Sequence, residues 1–344
     1  MTSETRLAAA GCLILSAAFL PLASQSVGSG TSHQARSIQE LLPDTSQYAG
    51  YLFTHMISSD YGRLYYAISK DGRHFTRING GKRINDEYRG HTCITKGHDG
   101  RYYMTGGGSP AITFWVSGDL VKWEKHGETS PDVKGIAIFK NGPGNHGAPK
   151  LYYDDVTAQY IVTWQTAMAA RDPKYKGIDE RYWGSHRAVY CLSKDLRTFS
   201  DPKLLLPEHD VAAIDIINTR VGNRYYTIFK DERHPGFDYP MGKSVRVSWS
   251  SSLTGPYSTP GPPVSPNFRE APSVVPRLDR KGWYMYFEQY TGVQYEIATA
   301  ARLEGPWYNI YFHERAIAAD TRHGFVFPIT QEQWNDIVAA YGEK

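Results

Sequence analysis

The sequence predicts an all-β fold: a five-bladed β-propeller closed by pairing of N- and C-terminal strands, with a short C-terminal helix. Three observations predict it. A pattern of segments recurs along the chain, tight-turn dipeptides separate strands rich in aromatic residues, and helical periodicity is missing until the last residues.

The chain opens with Arg6, an apolar run over residues 7–23, and small or polar residues after it. A basic start, an apolar core and a small-residue exit are the parts of a secretory signal, expected over residues 1–25 with a linker over 26–45. The run is short for a membrane span, which needs about 20 apolar residues. The expected product is therefore secreted or periplasmic, with no membrane contact beyond the signal. Residues 46–344 are expected to form a single domain. Of the cysteines, Cys93 and Cys191 remain there, too few for a disulfide framework. A net charge of +3 over 344 residues does not suggest a nucleic-acid partner. The oligomeric state is not legible.

The repeats follow in order. His91 leads through Asp99-Gly100-Arg101-Tyr102-Tyr103 to Ser117-Gly118-Asp119-Leu120. Ala148-Pro149-Lys150-Leu151-Tyr152 leads through Tyr160-Ile161-Val162-Thr163-Trp164 to Ser193-Lys194-Asp195-Leu196. Ala213-Ile214-Asp215 leads through Gly222-Asn223-Arg224-Tyr225-Tyr226 to Ser250-Ser251-Ser252. Glu270-Ala271-Pro272-Ser273 leads through Gly282-Trp283-Tyr284-Met285-Tyr286 to Trp307. The two ends of the chain make the fifth unit. Tyr51-Leu52-Phe53 and Tyr65-Tyr66-Ala67-Ile68-Ser69-Lys70-Asp71-Gly72 supply its outer part, and Gly324-Phe325-Val326-Phe327 its inner strand. Asp-Gly and Gly-Asn mark the turns. A lone sheet cannot bury both faces, whereas sheets stacked around an axis do so and protect their edges. A sandwich would need residues that the repeats already use.

In such a ring the inner strands begin together at one end of the axis. Those starts carry Arg89, His91 and Cys93, then His146 and Lys150, then Asp215, then Arg269 and Glu270, then Arg322 and His323. Two carboxylates there suit glycoside cleavage, in which one acid protonates the leaving oxygen. Glu270 is the candidate acid, since it precedes an apolar strand with no lysine beside it in sequence. Asp215, between Ile214 and Ile216, is the candidate that positions it or tunes its pKa. Arg89, His146, Lys150, Arg269 and His323 make the funnel read as cationic, and an acidic or sulfated glycan is the matching substrate. Residues 169–186 and 231–243 are long insertions expected to wall the funnel and favour exo action. Trp183, in the first, is a candidate sugar-stacking residue.

The arrangement resembles glycoside hydrolase family 43 and its furanosidase-like relatives. Glu270-Ala271-Pro272-Ser273 is similar to that family's acid motif, and Ala213-Ile214-Asp215 to the segment of its auxiliary aspartate. Arg322-His323-Gly324 resembles its closing strand, whose histidine stands near a metal ion or water. The resemblance implies a glycosidase acting on an oligo- or polysaccharide. It implies no required cofactor, though a single structural ion such as calcium at His323 would be consistent with it. One element departs: where the family carries a base aspartate, this chain reads Arg89-Gly90-His91-Thr92-Cys93. Asp86 or Glu87 as a loop base, His91 as base, and Cys93 as nucleophile compete for that place. A carbohydrate-binding propeller without hydrolysis is the alternative.

Overall fold

A computed structural model describes residues 42–174 and 178–342. The expected signal and most of the expected linker lie outside them. Among the described residues no helix is long and apolar enough to cross a membrane.

Five antiparallel sheets follow one another along the chain. The first contains β1 (Tyr48–Ile57), β2 (Asp60–Ser69) and β3 (Thr76–Arg77). β4 (Ile94–Lys96), β5 (Tyr102–Gly107), β6 (Ile112–Ser117) and β7 (Glu124–Thr129) form the second. The third has β8 (Gly147–Asp154), β9 (Gln159–Ala167), β10 (His186–Ser193) and β11 (Lys203–Leu204), with helix α1 (Glu180–Gly184) inserted before β10. β12 (Ala213–Val221), β13 (Arg224–Asp231) and β14 (Ser244–Ser250) form the fourth. The fifth comprises β15 (Arg269–Pro276), β16 (Trp283–Gln289), β17 (Gln294–Ala300) and β18 (Tyr308–Asn309). β19 (Thr321–Thr330) then pairs with β1 as the inner strand of the first sheet, before helix α2 (Gln331–Tyr341). The ring is the five-bladed propeller that the repeats predict, with its seam in the first sheet.

The recurring Ser-x-Asp has a local reason. In each of three blades the serine hydroxyl accepts a backbone N–H three residues on, at Gly72, Leu120 and Leu196. The aspartate accepts the next two N–H groups, such as Val121 and Lys122. This side-chain-closed turn places Gly72, Leu120 and Leu196 at positive φ and reverses the chain into the outer strand. The fourth blade departs, having three strands. Its outer edge is the run with Pro260, Pro262, Pro263 and Pro266, where backbone bonds reach β14 only from Ser258, Gly261 and Val264. Proline has no N–H to donate to a ladder, so the edge stays irregular.

Apolar residues of neighbouring sheets fill the gaps between blades. At the seam, Tyr51, Phe53 and Val326 pack on Val275, Tyr284, Tyr286 and Ile297 of the fifth sheet. On its other side, Leu52, Tyr66 and Ile329 meet Ile94, Tyr102 and Met104 of the second, joined by Trp334 and Ile337 of α2. Helix α2 begins in a reciprocal cap between Thr330 and Gln333.

Gly324 is required where β19 crosses β1: a Cβ there would stand 2.1 Å from Phe53 Cε2 and 2.8 Å from the Thr54 carbonyl. Gly324→Ala is expected to destabilise the fold by about 1–3 kcal/mol. Urea melts check this, and an unchanged midpoint would show that the seam gives way freely.

His55 of β1 is 1% exposed, and burial lowers its imidazole to about 4 from the ordinary 6.5. Between those values the unfolded chain takes up a proton that the native one refuses. Stability on the order of 3 kcal/mol, complete above the unfolded value, is therefore lost as pH falls towards the folded one. The difference in urea midpoint between neutral pH and about pH 4.5 should shrink in His55→Gln. An equal slope in the variant would assign the acid sensitivity elsewhere.

Candidate functional site

The inner strands β4, β8, β12, β15 and β19 contact one another in series around the axis. Four of them begin with a β-bulge. Their registers slip at Gly147/Lys150, Ile214/Ile217, Glu270/Ser273 and, in β19 against β1, beside Arg322 and Phe325. A non-glycine residue takes positive φ at each: Ala148 (41°), Asp215 (50°), Ala271 (50°) and His323 (32°). A bulge re-aims the side chains around it. The repeated bulge is thus the device that brings Asp215, Glu270 and His323 together.

Glu270 is the hub. Its Oε1 lies 3.1 Å from His323 Nε2 and its Oε2 2.8 Å from Lys230 Nζ. Asp215 Oδ2 accepts the Ala271 N–H at 2.9 Å, so it holds the backbone one residue beyond Glu270. The Asp215 N–H in turn donates to Gln165 Oε1 at 2.9 Å. Glu288 is fully buried opposite Glu270 in register, accepts the His323 N–H at 3.0 Å and pairs with Arg322. His91 stands beside this group, its ring 4.3 Å from that of His323 and its Nε2 3.4 Å from the Tyr61 hydroxyl.

The charges are tightly balanced. Burial would raise the Glu270 carboxyl, but Lys230 and then His323 outweigh it and hold it well below the usual carboxylate range. Glu288 is raised, by burial first and by the neighbouring Glu270. Against the penalty of burial, the hydrogen bond from Glu270 raises His323. His91 falls well below the ordinary imidazole value, through burial and then His323 and Lys150.

From Glu270 a chain of ions, buried at Lys230, Glu232 and Lys243, runs outward to Glu180. Lys230 Nζ contacts Glu232 Oε2 at 2.7 Å, Lys243 pairs with the other Glu232 oxygen, and Lys243 Nζ reaches Glu180 Oε2 at 2.7 Å. Glu180 opens α1, in the insertion over 169–186, and Lys243 closes the insertion over 231–243. The two insertions are therefore bound to each other and to the hub.

Several sequence expectations change. Glu270 has a lysine partner after all: Lys230 comes from the strand paired with β12, invisible in the local sequence. Cys93 is not set up as a nucleophile, which needs a thiol pKa lowered by its surroundings. It is 2% exposed, its thiol donates to the Leu151 carbonyl at 3.2 Å, and burial raises its pKa despite Lys150. Both Cys93 and Cys191 are buried and unbridged. The funnel is less cationic than the sequence suggests. Arg269 is committed to Glu296 through two contacts of 2.8 and 2.9 Å, and Lys150 donates to the Thr92 carbonyl at 3.1 Å. His146 Nε2 lies 2.8 Å from the Pro131 carbonyl, and Trp183 stacks on His186 at 5.0 Å. Arg89 is exposed and has no side-chain partner among the described residues. Of the loop bases, Asp86 pairs with Arg83 at 3.6 Å and is exposed, as is Glu87.

Lys230, Glu288 and Gln165 join the site without standing at an inner-strand start. Each sits at the end of the strand paired with an inner strand, opposite its start. The signal was a polar residue closing an otherwise apolar strand.

The ion that the resemblance implies meets a poor donor set. His91, Asp215 and His323 place one donor atom each within 4.8 Å of one another, but two of the three are nitrogens. Calcium takes about 6–8 oxygen ligands. In the other group, Glu270, Glu288 and His323, both carboxylates are occupied by Lys230 and Arg322. The residues do not fit calcium.

A propeller with carboxylates gathered at one end of its axis defines a class, and sequence comparison agrees. A family described as a probable glycosyl hydrolase domain, related to family 43, matches residues 46–335, and the chain belongs to it. An α-L-arabinofuranosidase of Bifidobacterium longum is 26% identical over 166 residues, covering 46% of this chain and 15% of that protein. Among solved structures, an α-L-arabinofuranosidase from Lactobacillus brevis aligns with a TM-score of 0.47 at 15% identity, over 64% of this chain and 72% of that one. An exo-β-1,3-galactanase from Clostridium thermocellum aligns at 0.46 and 19%, over 70% and 51%. The chain spans only a small part of its curated relative.

Cys93 is expected to resist iodoacetamide in the native protein and to react once unfolded. Peptide mapping after each treatment checks this, and rapid native labelling would return Cys93 to the list of reactive groups.

Proposed function

We propose that the protein is an exported, exo-acting glycoside hydrolase that releases a terminal sugar from a polysaccharide-derived oligosaccharide. The observation that carries this is the convergence of Glu270 and Glu288 of the fifth blade, and Asp215 of the fourth, beside His323 of the first. Glu270 is assigned as proton donor to the leaving oxygen, and Asp215 as the residue that fixes its backbone. Lys230 holds Glu270 ionised in the free protein. The transferred proton therefore has to pass along the hydrogen bond between His323 Nε2 and Glu270 Oε1. Exo action draws on the two insertions joined through Lys243 and Glu180, which make a fixed wall. Export draws on the apolar run over residues 7–23. A preference for acidic or sulfated glycans rests on Arg89, the cation left to meet an anionic sugar.

A second reading, a sugar-binding propeller without hydrolysis, draws on a different observation. Glu288 is paired with Arg322 and Asp215 holds the Ala271 N–H, so among the described residues no carboxylate free of such a role faces Glu270 as base.

Glu270→Gln should lower turnover by about 10²–10⁴ on any glycan that the wild type cleaves, with binding of that glycan retained. Product analysis over time should show a single small sugar first. Unchanged turnover in the variant would overturn the Glu270 assignment, and mixed oligomers as first products would overturn exo action. Binding without cleavage across arabinan, xylan and galactan fragments would favour the second reading.

A further inference from the structure

Phe268 stands two residues before Glu270 with its backbone at φ 61°. A bulky residue keeps that left-handed conformation only where its surroundings enforce it. Here the neighbours on both sides are pinned. The Asn267 amide donates to the Gly242 carbonyl at 2.6 Å and to the Pro240 carbonyl at 3.2 Å. The Arg269 N–H donates to the Lys243 carbonyl at 3.0 Å, and its guanidinium donates back to the Asn267 carbonyl at 2.9 Å while holding Glu296. Such a constraint would be understandable if the phenyl ring filled the core. It does not, for Phe268 is 36% exposed. An exposed apolar ring adds little to the fold, so the strain that presents it points to a use outside the fold.

The ring belongs to a strip that starts at the hub. Tyr290 lies against Lys230, whose Nζ is 4.1 Å from the ring centroid and 2.8 Å from Glu270 Oε2. Phe268 meets Tyr290 edge-on at 6.3 Å and His234 at 6.5 Å. His234 stacks on Phe237 at 4.5 Å with the planes 12° apart, and Phe237 is 64% exposed. Exposure rises outward, from part-buried Tyr290 through Phe268 to Phe237. The outer rings are held too. Asp238 accepts the His234 N–H at 2.9 Å, and the Gly236 N–H donates to His234 Nδ1 at 3.0 Å. The cations on this side are matched internally, since Lys230 and Lys243 face Glu270, Glu232 and Glu180.

We propose that Tyr290, Phe268 and Phe237 bind the departing side of the substrate, the uncharged sugar rings that follow the bond cleaved at Glu270, with Phe268 as the residue that sets this preference. The inference rests on Glu270 as the acid and adds the kind of glycan that the site takes. A sugar ring offers C–H faces that pack on aromatic faces, while its hydroxyl edges stay in water. The proton from Glu270 goes to the oxygen that the departing chain carries away, so a platform beside Glu270 supports that chain. Phe268 is already fixed in place, so little freedom is lost when a sugar lies on it. Phe237 continues the strip outward, so the grip grows with the length of the glycan. Matched cations leave nothing on this side that favours an anionic sugar over a neutral one.

The test is calorimetric titration of Glu270→Gln with mono- and tetrasaccharides cut from arabinan, xylan and galactan. In at least one series the tetrasaccharide is expected to bind about 10-fold or more tightly than the monosaccharide. Adding Phe268→Gly should remove that gain, weakening the tetrasaccharide about 10-fold while the monosaccharide binds as before. Glycine takes the left-handed conformation freely, so the thermal midpoint should not fall, whereas loss of a residue needed only for the fold would lower it. Tyr311→Ala, which removes an exposed ring beyond β18 of the same blade, should leave every affinity unchanged. With Glu270 intact, the loss in Phe268→Gly should fall on KM for the tetrasaccharide more than on kcat. Equal affinity for long and short sugars, no binding in any series, or tetrasaccharide binding unchanged by Phe268→Gly would each overturn the proposal. Self-association that Phe237→Ala abolishes would assign the strip to a second copy of the chain instead. Failure of the acid assignment is distinct, since it shows as full turnover in Glu270→Gln whatever the affinities. If Phe268→Gly does not fold, Phe268→Asn, which also tolerates that backbone, takes its place.

Discussion

The antiparallel pairing of β1 with β19 is the contact on which the rest of this molecule depends. A row of sheets left open would expose one face of each terminal blade, together with the aromatic residues that cover it. Pairing the first strand with the last buries Tyr51, Phe53 and Val326 against one neighbour, and Leu52, Tyr66 and Ile329 against the other. It also sets where His323 stands. β19 is the last inner strand, so its start reaches the axis only because the far end of the chain is already in place as its partner. Gly324 marks the tightness of that approach.

Within the closed ring, geometry is converted into chemistry by a defect repeated at the starts of β8, β12, β15 and β19. A regular strand start would send alternate side chains to opposite faces. The bulge, with a residue at positive φ, turns Asp215, Glu270 and His323 towards one point. The strain of four such residues is tolerable because each inner strand is held by its blade on one side and by neighbouring blades on the others.

The acids gathered there are not left alone. Buried carboxylates without partners would be protonated or excluded. Here Lys230 answers Glu270, Arg322 answers Glu288, and a line of alternating charges continues through Glu232 and Lys243 to Glu180. Breaking such a line leaves a buried charge unmatched, so its members are tied to one arrangement. That line fixes the insertions which border the site, and it explains why the hub is nearly neutral where the sequence read as cationic.

The ring could be read from the chain because it is written in local terms. Turn residues such as Ser117-Gly118-Asp119 and aromatic strands such as Trp283-Tyr284-Met285-Tyr286 recur with a common order, and each follows from hydrogen bonding or burial within a few residues. Glu270, Asp215, His91 and His323 were legible for the same reason, since each stands at a recognisable strand start. What faces them was not. Lys230 and Glu288 reach the hub across strand pairs, Arg269 turns away to Glu296, and Cys93 is sealed between blades. Sequence by itself determined which strands meet at the axis. Only the tertiary structure decided which charges meet there, because pairing partners are set by sheet register and by the bulges, and neither is encoded at the residue they affect.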